Sequence, residues 1–354
     1  MTIQTNTAPR WRHIFLLSTT ILFATPAFAD HMGPSGFGGG GGISIFSPDT
    51  LDEGHWAAGL RVTYTRPDQR SDAELAALAG QHIQAHNTDY NLVGSLGVAY
   101  GVTHQLTVSA ELPYVRRDDL REGSHSHVGG VAVNGVEQLG SVAGLGDLSL
   151  LAKYRLTKGP GPAFALIAGI KMPTGSTHKR SLDGERLETE HQPGTGSWDP
   201  IVGASASTPL GAVTLTASAL YQFSGKGAED TRLGDRMQGG IALSHRFGEQ
   251  THFHAESHNQ HHGDELDEHA ELAPNASWDA FVELVGEWEG RQKIDGEVEQ
   301  ESGGKWACVA PGLRYNAASG WSVSTALALP VWQHIRASHP DNRFRLIASL
   351  GKAF

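Results

Sequence analysis

The residues best suited to chemistry in this chain are imidazoles. His252, His254, His258, His261, His262 and His269 fall within the stretch 248–276, interleaved with Asp264, Glu265, Asp267 and Glu268. Imidazole nitrogens and carboxylate oxygens together suit Zn²⁺, Ni²⁺ or Cu²⁺, and the spacing His258-x-x-His261 allows chelation. His252, His254, His258, His261 and His262 are therefore candidate metal ligands. The same composition also describes a solvated low-complexity connection whose histidines titrate freely, and 264–273 reads equally as a short helix. No cysteine framework accompanies the cluster, because Cys308 is the single cysteine and lies elsewhere.

Serines beside histidines raise nucleophilic catalysis as an alternative, in Ser124-His125-Ser126-His127 and Ser244-His245. A hydrolase needs a nucleophile, a base and a third group holding the base, and no triad can be read from these pairs. There is no Gly-x-Ser-x-Gly elbow, phosphate loop, dinucleotide fingerprint or zinc-protease helix. The expectation is a protein that is not an enzyme, with an outer-membrane hydrolase as a secondary reading.

A third set of charged residues repeats with period two. Arg61, Lys153, Arg155, Lys171, Arg314 and Arg345, with Glu111, Asp147, Asp199, Glu283 and Glu287, sit on the polar faces of otherwise apolar alternating runs. Opposed charges facing one lumen can select small solutes, and they can equally serve to solvate or brace it.

The elements that must position these charges are strands. Trp56, Ala58, Leu60, Val62 and Tyr64 alternate with His55, Ala57, Gly59, Arg61 and Thr63, which is the pattern of a strand with two different environments. The same separation recurs in runs near 90–100, 106–114, 148–156, 164–172, 213–223 and 237–247. It continues in Trp278 to Glu289, Trp306 to Asn316, Trp321 to Trp332 and Phe344 to Phe354, with a weaker run from Trp198 in which Pro200 must stand at the start. About twelve strands of ten to twelve residues result, long enough to cross a bilayer at a tilt. A β-sandwich also alternates, but with shorter strands. The predicted fold is all-β, a transmembrane antiparallel up-and-down β-barrel.

Connection lengths agree with this reading. The connections at 101–104, 157–162, 208–211 and 316–320 are short, and those at 67–88, 118–143, 174–197, 224–234 and 290–305 are long, as periplasmic turns and extracellular loops should be. The His-rich connection 248–276 falls on the short-turn side and breaks the pattern. Residues 1–29 read as a cleavable signal peptide, with Arg10 and Arg12 before an apolar stretch and Ala27-Phe28-Ala29 at its end. Residues 30–53 read as a mobile, Gly-rich periplasmic lead-in and 54–354 as the barrel. Phe354, ending an amphipathic strand broken only by Lys352, suits recognition by barrel-assembly machinery. Removing Arg10 and Arg12 leaves 25 basic against 38 acidic residues, a balance that excludes nucleic acid as a partner. The expected partners are outer-membrane lipid and a small-molecule cargo.

Several segments together resemble a known family. They are Tyr100-Gly101-Val102-Thr103, Leu112-Pro113-Tyr114, Gly144-Leu145-Gly146-Asp147-Leu148, Lys153-Tyr154-Arg155, Lys171-Met172-Pro173-Thr174-Gly175, Gln192-Pro193-Gly194-Thr195-Gly196-Ser197-Trp198-Asp199 and Pro311-Gly312-Leu313-Arg314. This pattern resembles the outer-membrane barrel family named for the meta-pathway of phenol degradation, from about residue 50 to the end. The resemblance implies a bacterial outer-membrane channel or transporter for small solutes, including hydrophobic and aromatic compounds. A periplasmic metal-binding barrel using the His-rich turn is a further reading. A lumen of about twelve strands would be narrow.

Overall fold

The computed structural model describes residues 41–159, 161–248 and 276–354. The expected signal peptide and the candidate ligands His252, His254, His258, His261 and His262 lie outside the described residues.

Strands β1 (Trp56–Pro67), β2 (Tyr90–Thr103), β3 (Leu106–Val128), β4 (Val131–Leu145), β5 (Leu148–Arg155), β6 (Ala163–Met172) and β7 (Asp199–Leu210) make one half of the wall. The other half is β8 (Val213–Gln222), β9 (Arg236–Phe247), β10 (Ser277–Glu289), β11 (Gly304–Asn316), β12 (Trp321–Ile335) and β13 (Asn342–Ala353). Apart from β4 and β5, which both pair with β3, consecutive strands pair antiparallel, and β1 closes the barrel on β13, from Ala57 opposite Ala353 to Pro67 opposite Asn342. β4 and β5 share one position in the wall. β5 pairs the lower part of β3 and β4 the upper, with the interruption at Gly146-Asp147. Pro113 stands opposite this break. It has no amide hydrogen to give, but its carbonyl accepts from Gly146 N at 2.8 Å. The wall is thus a closed barrel of twelve strand positions, as the alternation predicts.

The two faces sort by parity. Leu60, Leu96, Val98, Leu166, Val202, Ile241, Leu284, Leu313, Val323 and Leu346 are exposed on the outer face, while Ser95, Thr107, Thr216, Glu283 and Ser324 are buried on the inner one. A closed sheet leaves no unpaired backbone edge, so this apolar outside can face hydrocarbon. Exposed aromatics form two belts. Trp56, Tyr154, Phe164, Trp278 and Trp321 lie near the termini, and Tyr114, Trp198, Phe223, Trp288 and Trp332 near the other end. Lys352, which interrupts the outward face of β13, donates to the Ser319 carbonyl at 2.8 Å and lies 5.3 Å from the Trp321 ring centre, so its ammonium stays at the belt. Among the described residues no helix is long and apolar enough to cross a membrane. The protein is an outer-membrane β-barrel. Its short-turn end, which carries the termini of the wall, is the periplasmic one.

Three connections are more ordered than the sequence reading expects. The stretch 118–143 is the upper part of the β3–β4 hairpin, closed by Gly129-Gly130 with φ of 60° and 80°. Two positive φ values in a two-residue loop match the twist of a hairpin. The stretch 67–88 carries helix α1 (Asp72–Ala79), started by a reciprocal Ser71–Glu74 capping box and packed through Leu75 and Ala79 on that hairpin. Between β10 and β11, Lys293–Ile294 pairs with Glu297–Val298.

Candidate functional site

The interior of the barrel holds its own chain. Residues 41–53, read from sequence as part of a mobile periplasmic lead-in, lie instead across the lumen and run down to the start of β1. The amide of Ser44 donates to Glu283 Oε1 at 2.7 Å, and that of Ile45 donates to the same oxygen at 3.2 Å. Arg314 donates to the carbonyl of Gly42 at 2.8 Å, Arg61 to that of Ile43 at 3.2 Å, and Lys153 to that of Ser47 at 3.0 Å. Arg155 pairs with Asp49 at 3.5 Å. Near the periplasmic end the Leu51 amide donates to Thr107 Oγ1 at 2.8 Å. Backbone groups taken out of water must find partners, and here inward-facing charges of the wall supply them. That satisfaction is what the lead-in reading left out.

Shape completes the fit. A Cβ on Gly42 would lie 1.7 Å from Glu283 Oε1, so a residue with a side chain cannot occupy that place with Glu283 as it stands. Ile43 and Ile45 are 0% exposed and join Ala242, Phe281, Val285, Trp306, Cys308, Ala310, Ala326, Ala328 and Ile347 in one cluster. The inner wall from β9 to β13 therefore carries an apolar stripe, and the two isoleucines cover it. Burying each contributes on the order of 1.5–3 kcal/mol.

The other predicted lumen charges, Glu111 apart, fall into two groups. Lys171 Nζ pairs with Asp147 at 2.9 Å and Asp199 at 2.7 Å and also meets Thr195 Oγ1. Asp147 further accepts from the amides of Gly175 at 2.9 Å and Thr195 at 2.8 Å, and Asp199 from the amide of Gly225 at 2.8 Å. These contacts draw the long connection 173–198 down onto the lumen. A Cβ on Gly175 or Gly194 would approach the other glycine's backbone to 2.7 or 2.6 Å, so the two glycines permit the clasp. Arg345 pairs with Glu287 at 2.6 Å, lies 4.5 Å from the Trp306 ring centre, and shares Glu287 with the Trp306 indole N–H at 2.8 Å. Glu111 occupies the inward face of β3, opposite Gly97. Near the periplasmic end Arg246 and Asn316, which the sequence reading did not single out as site residues, bind Asp279.

At the loop end the structure assembles a cluster that no spacing in the sequence marks. His86 lies on a two-residue strand paired with β3, while Glu190 and His191 lie on a single 3-10 turn, Thr189–His191. His86 Nδ1 stands 3.6 Å and His191 Nε2 3.7 Å from the same oxygen, Glu190 Oε1. His339 packs edge-on against His86, with ring centres 4.3 Å apart. Burial holds the His191 imidazole down to about 3, aided by the charge of Arg117, and keeps His86 well below the usual histidine range. Burial also pushes Glu190 up to about 8, with repulsion from Glu188 adding to it. A polar cavity of about 570 Å³ opens beside the cluster, lined by His82, Glu122, His125, Glu137, Glu188 and His191 among others.

The Ser–His neighbours do not assemble. Ser244 is buried in the lumen while His245 faces outward and bonds the Ala212 carbonyl at 2.6 Å. His125 bonds Asn134 Oδ1 at 2.7 Å and stacks edge-on against His127. Adjacent strand residues point to opposite faces, so Ser–His neighbours in a strand cannot face each other.

Barrel and occupied lumen together define an outer-membrane protein whose interior is crossed by its own residues 41–53. The sequence model described as "Putative MetA-pathway of phenol degradation" matches residues 65–282, more than half of the chain, and the protein belongs to that family. Among solved structures it is similar to an outer-membrane channel from Pseudomonas putida F1, with a TM-score of 0.51 and 18% identity over 86% of this chain and 97% of that one. Fainter likenesses are to a deletion mutant of the monoaromatic hydrocarbon channel TodX (TM-score 0.40, 11% identity, 91% of this chain and 98% of that one) and to the monoaromatic hydrocarbon channel CymD (0.36, 11%, 86% and 88%). No curated protein matches the chain.

Proposed function

We propose that this protein is an outer-membrane channel for small hydrophobic solutes, aromatic compounds among them, and that residues 41–53 are its plug. The observation that carries the reading is the apolar stripe on the inner wall beneath Ile43 and Ile45. A lumen for ions or sugars has no use for Phe281, Val285, Trp306 and Ile347 on one side, whereas an apolar solute would gain from replacing the isoleucines there. The charged side chains hold the plug through one or two hydrogen bonds to its backbone each, or in Arg155 through an ion pair with Asp49. None of these contacts belongs to the strand ladder, so the segment can leave without unpairing the wall. Catalysis has no part in this reading. Phe354, exposed at the end of the chain, is proposed as the feature that assembly machinery recognises.

The test is uptake into vesicles carrying the refolded protein. A monoaromatic hydrocarbon should enter saturably, and Ile43→Ser with Ile45→Ser should raise the rate while sugars remain excluded. Equal permeation of sugars and aromatics would sink the hydrophobic-solute reading, and no permeation through either the parent or the double variant would sink the channel.

A further inference from the structure

We propose that His86, Glu190 and His191 form a binding site for a borderline divalent transition cation, with Zn²⁺ as the probe, that ties the connection after β1 to the connection after β6 over the loop end of the lumen. One donor atom from each of the three residues lies within 4.8 Å of the other two. Two imidazole nitrogens stand 3.6 and 3.7 Å from Glu190 Oε1. Metal–ligand distances of about 2.0–2.1 Å in a tetrahedron require donors roughly 3.4 Å apart, so small side-chain rotations bring these three onto one ion. Both spacings are too long for good hydrogen bonds.

His191 supplies the independent sign that something is meant to bind there. It is 2% exposed, and its Nε2 has no hydrogen-bond partner among the described residues. A buried polar atom left without a partner costs about 1–3 kcal/mol, and an ion would satisfy it. Glu122 Oε2 stands 3.9 Å from the same nitrogen, on the side where the cavity opens. It offers a fourth ligand, or room for a water, and an entry path. Two imidazoles with one carboxylate favour zinc-like ions over Ca²⁺ or Mg²⁺, which take oxygen ligands. Such an ion would join segments about a hundred residues apart in sequence, at the end of the wall opposite to the strand ends Phe247 and Ser277.

The full chain, refolded in detergent with His252, His254, His258, His261, His262 and His269 all changed to Asn, removes the histidines of the His-rich stretch. Titrated with Zn²⁺, it should bind one ion. His86→Ala, Glu190→Gln and His191→Ala should each weaken binding roughly a hundredfold or more, since second-shell partners alone are worth ten- to a hundredfold, while His339→Gln should retain it. In the unmutated chain, Zn²⁺ should slow amide exchange around residues 86 and 190, a readout that does not depend on the variants folding. Binding that survives His191→Ala in a heat-modifiable barrel, binding that disappears with the six His→Asn changes alone, or unchanged exchange at both segments would each overturn the site.

Discussion

Glu283 and Ser44 are 239 residues apart in sequence, yet the Ser44 amide donates to the Glu283 carboxylate at 2.7 Å deep inside the barrel, where Glu283 is 0% exposed. This contact, with the companion bond from Ile45, holds the proposed plug near Ser44. Glu283→Ala should release it. Hydrogen bonds to a charged group are worth about 1.5–3 kcal/mol, so the open population should rise roughly tenfold or more, read as conductance in planar bilayers. Unchanged conductance would mean that the segment is held elsewhere.

Gly42→Ala attacks the same contact from the other side. Its Cβ would fall 1.7 Å from Glu283 Oε1, so either the segment or the carboxylate must move. Conductance should rise as for Glu283→Ala, and the double variant should show little additional gain, because both changes break one contact. Additive gains would argue for two separate holds.

Lys171→Met tests the clasp on the connection 173–198. It leaves Asp147 and Asp199, both buried, without their shared cation. Removing one partner of a buried ion pair costs about 3–5 kcal/mol. The loop should become sensitive to protease between residues 175 and 195 while the barrel stays heat-modifiable. A loop as resistant as the parent's would show that the clasp does not depend on the lysine.

The outer face should respond to charge by depth. Leu284 is exposed near the middle of β10, next in sequence to the inward Glu283. Leu284→Arg should destabilise the folded barrel by about 2–4 kcal/mol in urea titrations in lipid vesicles, as arginine does near the bilayer midplane. Glu283→Gln, one residue away but inside, should cost clearly less. Equal losses would contradict the assignment of faces.

Much of this protein is decided locally and was legible in its residues. Alternation from Trp56 to Tyr64 or from Trp278 to Glu289 determines a strand with one apolar and one polar face. Twelve such runs with short and long connections determine a barrel, because strands of this kind must close on themselves to satisfy their edges in lipid. The family motifs were also visible, although their role was not. Gly175, Gly194 and Thr195 prove to be the clasp on Asp147. Gly129-Gly130 between alternating residues was a hairpin signal that the loop reading passed over.

What occupies the lumen only the tertiary structure decided. Residues 41–53 carry no periodicity and sit next to glycines, so they read as a free lead-in. Their order comes from Glu283, Arg314, Arg61 and Lys153, which stand on four different strands and face one another only after closure. The same holds for His86 and His191. A metal-ligand pattern can be read in sequence only when the ligands lie within a turn or two of each other. Donors on separate connections come together only when the barrel brings those connections over one mouth.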